Sequence, residues 1–261
     1  MAAVSAFYEV DGDLAVPAEL TRGPWDPGSQ HGGAPAALLA REVERAGADG
    51  MWTARMTLEF LKPVPIEPLR VSCRVPRPGR RVELVEAELE AGGEPVVRAT
   101  ALRIRVAEQP VPEVAHRDEP PPGPDQAQAV RPDMALTRPW FGEDAVEVRF
   151  ATGTYAEPGP AIAWFRLRVP VVAGEEPSPL QRAACAADFG NGASSALDWS
   201  RYVFVNPDLT FYLRRPPRGE WVCLDARTTV DPSGTGLAQS SLHDKDEPIG
   251  TALQALFVAP R

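Results

Sequence analysis

Residues 31–47, HGGAPAALLAREVERAG, and residues 178–192, SPLQRAACAADFGNG, decide how this chain folds. Each contains a helical run of small apolar residues around most of its circumference, and a helix of that kind has to be covered on nearly all sides. The earlier helix is expected to open near Gly33, with Pro35 in its first turn and Gly47 as its stop. Four strand candidates follow it: WTARMTLEFL, PLRVSCRV, RVELVEAELEA and PVVRATALRIRV, the last three rich in alternating or β-branched residues. After the later helix come YVFVNPDLTFYL, EWVCLDARTTV, GTGLAQSSLHD and PIGTALQALFVA. Each half thus reads as an opening strand pair, one helix and four strands.

The halves also match in number. Lys62-Pro63 corresponds to Arg215-Pro216, Glu67 to Glu220 and Pro95-Val96 to Pro248-Ile249, each at an offset of 153. A constant offset over more than thirty residues points to an internal duplication. The expected fold class is α+β. Four antiparallel strands curl around each helix, and the two units join edge to edge in one continuous sheet with both helices on its concave side. Residues 108–139 hold eight prolines and few large apolar side chains, and read as an extended, solvated connection. The expected boundaries are therefore 1–107, 108–139 and 140–261.

Composition narrows the function. Hydrophobic residues make up 44% of the chain and charged residues 24%, which suits a globular protein with a real core. Asp and Glu outnumber Lys and Arg by 36 to 27, so the phosphate attraction that drives nucleic-acid binding is missing. The three cysteines, Cys73, Cys185 and Cys223, form no C-x-x-C and read as buried thiols of a reducing compartment. The start of the chain has no basic segment followed by an apolar run, and no stretch approaches the ~18 apolar residues of a membrane span. A cytoplasmic protein without a membrane partner is expected.

Asp188 ends the most apolar helical run of the second half. A carboxylate there loses much of its hydration, and the helix dipole opposes negative charge at a C-terminus. A capping role toward the Gly190-Asn191-Gly192 turn is the simplest alternative to a chemical one. Gln254 is likewise polar within an apolar strand, ALQALFV. No G-x-S-x-G elbow is present. The three histidines are dispersed, with His116 in the connection and His243 in the polar stretch HDKDEP, so neither a Ser-His-Asp hydrolase nor a metal site is expected.

Nearly the whole chain resembles the hotdog-fold thioesterases, in particular the double-hotdog acyl-CoA thioesterase II group. The single-hotdog signature is H-G-G with a catalytic Asp nine residues after the His. His31-Gly32-Gly33 matches its first part, but the ninth residue is Ala40. In the second half Asp188 aligns with Ala40 at an offset of 148, while Pro179-Leu180 replaces His-Gly. The resemblance therefore implies one composite site, with glycine backbone from one half facing the acid of the other. It also implies an Asp, Thr and Gln set acting on water. The Asp falls on Asp188 and the Gln on Gln254, whereas the Thr position holds Asn206, a departure that still supplies hydrogen bonds. On this reading Asp188 is the general base or the nucleophile, and Asn206 and Gln254 hold the attacking water. The backbone near Gly32 and Gly33, beside His31, binds the thioester oxygen. The substrate is an acyl-CoA or acyl-carrier thioester, with no metal or cofactor. The fused pair already supplies a pseudo-dimer, and a homodimer or higher oligomer would be unsurprising.

Two other readings stay open. Asp26 and His31, spaced D-x4-H, are similar to the pair used by hotdog hydratases and dehydratases, although Asp26-Pro27-Gly28 is also a plain turn. A non-catalytic acyl-CoA-binding module fits the Asn206 departure. Lys62, Arg214 and Arg215 are candidates to meet coenzyme A phosphates, or are simply strand-end cations.

Overall fold

The computed structural model describes residues 6–106, 120–130 and 137–261. The first half contains β1 (Tyr8–Asp11), β2 (Leu14–Pro17), α1 (Gly33–Ala46), β3 (Met51–Phe60), β4 (Leu69–Arg77), β5 (Val82–Ala91) and β6 (Glu94–Arg105). After β7 (Gln128–Ala129), the second half contains β8 (Val146–Thr152), β9 (Ala161–Leu167), α2 (Pro179–Ala187), α3 (Gly190–Ala193), β10 (Tyr202–Val205), β11 (Asp208–Leu213), β12 (Val222–Asp231), β13 (Thr235–His243) and β14 (Pro248–Pro260). All strand pairs in the sheet are antiparallel, in the order β1-β2-β4-β5-β6-β3-β11-β14-β13-β12-β9-β8-β7, with β10 also on β14.

The two halves meet where β3 pairs with β11, and this pairing is symmetric. Thr57 lies opposite Thr210, its own counterpart at the offset of 153, and their hydroxyls are 3.1 Å apart. On either side Glu59 faces Asp208 and Arg55 faces Tyr212, which are again counterparts exchanged. A pseudo-two-fold axis therefore runs between the two threonines.

The helices pack against each other, α1 also on β4, β5 and β6, and α2 on β9, β11 and β12. In α1 the residues from Gly33 to Arg41 are all buried, as its small side chains require. Gly47 ends the helix, and a Cβ there would overlap the Arg103 guanidinium. That guanidinium forms a buried ion pair with Glu83 at 2.6 Å.

Three expectations need correction. YVFVNPDLTFYL is not one strand but two, because Asn206-Pro207 interrupts it and proline supplies no N–H to a ladder. In the connection, residues 107–119, including His116, and 131–136 lie outside the described residues. The described part is not simply solvated: Gln128–Ala129 pair with β8, and the Pro122 carbonyl accepts from Trp164 Nε1 at 2.8 Å. Cys73 is only half-buried, whereas Cys185 and Cys223 are buried. His243 closes β13 opposite Pro248, in the hairpin that leads to β14, and is buried. Among the described residues no helix is long and apolar enough to cross a membrane.

Candidate active site

The second-half helix is interrupted where the first-half helix is continuous. α2 stops at Ala187, Asp188 is its C-cap, and α3 restarts at Gly190. At 190 glycine leaves room for side chains of the sheet: a Cβ would lie 2.8 Å from Ser240 Oγ and 2.9 Å from Gln254 Oε1, and would push the Gln254 amide aside. Two glycines in four residues also weaken a helix, by roughly 1 kcal/mol each. Gln254 of β14, 2% exposed, bridges the break. Its Oε1 accepts from the Asn191 N–H at 3.0 Å, and its Nε2 donates to the Asp188 carbonyl at 3.2 Å.

The break sets the Asp188 side chain, 4% exposed, between the two halves. Its Oδ1 accepts from Asn206 Nδ2 at 2.9 Å and, more weakly, from Gln254 Nε2 at 3.4 Å. Asn206 stands at the gap between β10 and β11, where the same amide nitrogen also donates to the Asp208 carbonyl at 3.1 Å. The other carboxylate oxygen, Oδ2, lies 3.1 Å from His31 Nδ1. A Cβ on Gly32 would fall 2.8 Å from Oδ2 and 2.9 Å from Phe60 Cζ, so only glycine leaves the carboxylate where it stands. Although the dipole of α2 opposes the charge of Asp188, the N-terminus of α1 faces it and favours an anion.

His31 is fixed as firmly. Its ring stacks on Phe189 at 4.3 Å and on Phe141 at 5.0 Å between centroids, and Nδ1 accepts from the Gly33 N–H at 3.0 Å. Among the titratable neighbours, burial pushes the Cys185 thiol well up, with help from the Asp188 charge. Burial likewise raises Tyr8, whose hydroxyl bonds to Gln30. Both are therefore neutral. Beside Gly32 and Asn206 opens a cleft of about 320 Å³, lined mainly by Trp25, Phe60, Leu61, Pro63, Val64 and Val205, with Lys62 also on its wall. Trp25 in turn stacks on Trp199 at 4.8 Å.

The structure brings Asp188, Asn206, Gln254, His31, Gly32 and Gly33 together from both halves. Asp26 also lines the cleft, but its carboxylate accepts from Ser29 Oγ at 2.6 Å and Gly28 N at 3.2 Å in its own turn; these bonds lower its pKa. Lys62 pairs with Glu94, Arg214 with Glu247, and Arg215 with buried Asp244. At the pseudo-equivalent place in the first half stand Ala40, Ala101 and Thr53, with neither carboxylate nor carboxamide. Sequence reasoning missed Phe60, Phe141, Phe189 and Ser240, whose roles depend on contacts between distant segments. The glycine at 190 was the one local signal for such a contact. Among the described residues no group of three or more His, Cys, Asp or Glu is arranged to hold a metal.

A family model described as the acyl-CoA thioesterase N-terminal domain matches residues 21–104, and the corresponding C-terminal domain model matches residues 112–258. No curated protein sequence matches significantly. Among solved structures, a candidate thioesterase II from Thermobifida fusca is similar at 19% identity, with a TM-score of 0.76 over 99% of this chain and 96% of that one. A hot dog fold protein of unknown function from Alicyclobacillus acidocaldarius is similar at 16% identity, with a TM-score of 0.75 over 97% and 95%. An acyl-CoA thioesterase II from Mycobacterium marinum is similar at 14% identity, with a TM-score of 0.68 over 97% and 94%. At these identities the likeness is one of fold.

Proposed function

We propose, from the premise that this chain belongs to the acyl-CoA thioesterase family and is a thioester hydrolase, that Asp188 is the general base of a single composite site. The observation that carries this reading is the convergence on one buried carboxylate: Asn206 and Gln254 bind its Oδ1, and the glycine N-terminus of α1 faces it from the other half. Residues 1–107 and 140–261 act as two fused hotdog units, each sheet curled around its helix.

The acyl thioester enters by the apolar cleft, with its carbonyl oxygen toward the Gly32–Gly33 backbone, where N–H groups and the helix dipole stabilise the charge that develops. A water held beside the bonded pair of Asp188 and Asn206 loses a proton to the carboxylate as its oxygen attacks the carbonyl carbon. The tetrahedral intermediate then collapses, the C–S bond breaks, and the thiolate leaves with the electron pair and recovers the proton. Gln254 acts mainly by holding Asp188 and the helix break in register, because both ends of its amide are already engaged. Lys62 stands where a coenzyme A phosphate can displace its exposed pairing with Glu94.

The hydratase reading needs Asp26 beside His31. Asp26 is instead committed to its own turn, and His31 faces Asp188. Thiol release from short, medium and long acyl-CoAs tests the proposal. Wild-type protein turns over at least one class, and Asp188→Asn loses about 10²–10⁴-fold, the usual worth of a positioned general base. A folded Asp188→Asn protein with wild-type turnover overturns the assignment, and acyl-CoA binding without turnover by wild type favours a binding module.

A further inference from the structure

We infer that His31 is a positioning residue that holds the proton taken up by Asp188 and, in doing so, releases the Gly33 N–H to the thioester oxygen. This rests on the reading of Asp188 as general base.

His31 Nδ1 has one lone pair for two neighbours. Nδ1 of His31 lies 3.0 Å from the Gly33 N–H and 3.1 Å from Asp188 Oδ2. An imidazole nitrogen either accepts through its in-plane lone pair or carries a proton and donates. With Nδ1 unprotonated, its lone pair accepts from Gly33 and it donates nothing to the carboxylate. With Nδ1 protonated, it donates to Oδ2, and the Gly33 N–H loses its acceptor. The two partners therefore exclude each other, and a single proton decides between them.

The ring cannot escape this choice by swinging aside, because Phe189 and Phe141 both stack on it. Other titratable groups do not compete for the proton. Cys185 on α2 and Tyr8 on β1 are kept neutral by burial. Asp26 is bonded to Ser29 and Gly28, and Lys62 to Glu94. Gly33 opens α1, so its N–H is one of the helix's unpaired donors unless His31 or a ligand takes it.

The reaction then couples both events. As water attacks, its O–H bond breaks and the proton passes to Asp188 and on to Nδ1, since an imidazole is ordinarily more basic than a carboxylate. The carbonyl π pair becomes an oxyanion, and the Gly33 N–H, just released, donates to it. When the C–S bond breaks, the departing thiolate takes the proton back through Asp188, and Nδ1 again accepts from Gly33. The products are the acid and the thiol, with nothing left over.

The test uses the full chain, selectively labelled with [15N]histidine. It has three histidines, and His31→Asn removes one imidazole signal and so assigns it. Asn at this position still accepts from Gly33 or donates to Asp188, but carries no exchangeable charge. The expected result is that His31→Asn lowers kcat about 10²-fold with little change in KM, the lower end of the range for a lost proton-transfer group. In wild-type protein the Nδ1 resonance of His31 is that of an unprotonated nitrogen accepting a hydrogen bond. His31→Gln serves for both the kinetics and the assignment if His31→Asn is unstable. A wild-type kcat in either variant, or the resonance of a protonated Nδ1 in the free enzyme, overturns the inference alone. An active Asp188→Asn enzyme overturns the base assignment and this inference with it.

Discussion

Gly32→Ala separates the geometry of the site from the stability of the fold. Gly32 has φ −59° and ψ −22°, a helical backbone that alanine adopts without strain. The unfolded chain is stiffened by the substitution, which favours folding by about 0.4–1 kcal/mol. The new methyl would sit 2.8 Å from Asp188 Oδ2, 3.0 Å from Oδ1 and 2.9 Å from Phe60 Cζ, against 3.4 Å for ordinary contact. The carboxylate must therefore retreat by about 0.6 Å, and both obstructing groups are side-chain ends that can yield cheaply. The retreat strains the 2.9 Å bond from Asn206 and misplaces the proposed base. Since a 1 Å displacement of a catalytic group costs about 10²-fold, kcat/KM should fall on the order of 10- to 30-fold while the melting temperature holds or rises. Gly33→Ala is the contrast, because its methyl would meet the Cys185 backbone carbonyl at 2.8 Å, and backbone cannot step aside. That variant should lose about 1–3 kcal/mol of stability. Thiol-release kinetics and thermal melts on both variants decide. A Gly32→Ala enzyme within twofold of wild type would refute the contact as a constraint, and a melt as depressed as that of Gly33→Ala would refute the claim that the fold yields cheaply.

Two further outcomes are expected. Arg103→Met leaves Glu83 charged and buried with the Ala48 N–H as its remaining partner, and should cost about 3–5 kcal/mol in urea unfolding, with much of the loss recovered when Glu83→Gln is added. Equal stability of the single and double variants would show that the stranded Glu83 charge is not the source of the loss, and wild-type stability of Arg103→Met would show that the pair contributes nothing. Asp244 is held down to about 2 from an ordinary 3.8, against the opposing effect of its own burial, by the Arg215 guanidinium and by backbone N–H groups of Arg218, Glu247 and Asp246. A lowered carboxylate pKa stabilises the fold above the unfolded value and ceases to do so as pH falls from about 4 toward 2. Asp244→Asn should thus lose on the order of 1–2 kcal/mol near neutrality and converge with wild type in acid. Parallel stability curves for the two proteins across that range would count against it.

What could be read from the sequence was what local chemistry determines. The small-residue run ending at Gly47 yields α1 because burial on every side and a glycine stop are both written there. The strands follow from alternation. The interruption at Asn206-Pro207 is masked because both flanks are good strand formers, although Pro207 offers no N–H to a ladder. Asp188 and Gln254 stood out as polar residues in apolar runs, yet nothing local showed that Gln254 grips the backbone on both sides of the helix break. His31 and Asp188 lie 157 residues apart, and of the two phenylalanines that clamp the imidazole Phe189 adjoins Asp188 while Phe141 comes from a third segment. Contacts of that kind are fixed by the pairing of whole units and leave no periodic trace.

The symmetry at Thr57 and Thr210 makes the asymmetry of the chemistry informative. Duplicated halves meeting on a pseudo-two-fold axis present two equivalent places for a site, one at the end of α2 and one at the middle of α1. In the first half Ala40 keeps α1 unbroken, and Ala101 has no carboxamide to bridge a break. The polar interactions there belong instead to the ion pair of Arg103 with Glu83 and to Glu44, which accepts from Ser178 Oγ at 2.6 Å. In the second half, Gly190 leaves room for Ser240 and Gln254, the helix breaks, and Gln254 satisfies the backbone groups on both sides of the break. A carboxylate placed at that break is opposed by its own helix and favoured by the other. Its position therefore makes sense only with both halves present, and the glycines of the first half have their counterpart in the acid of the second.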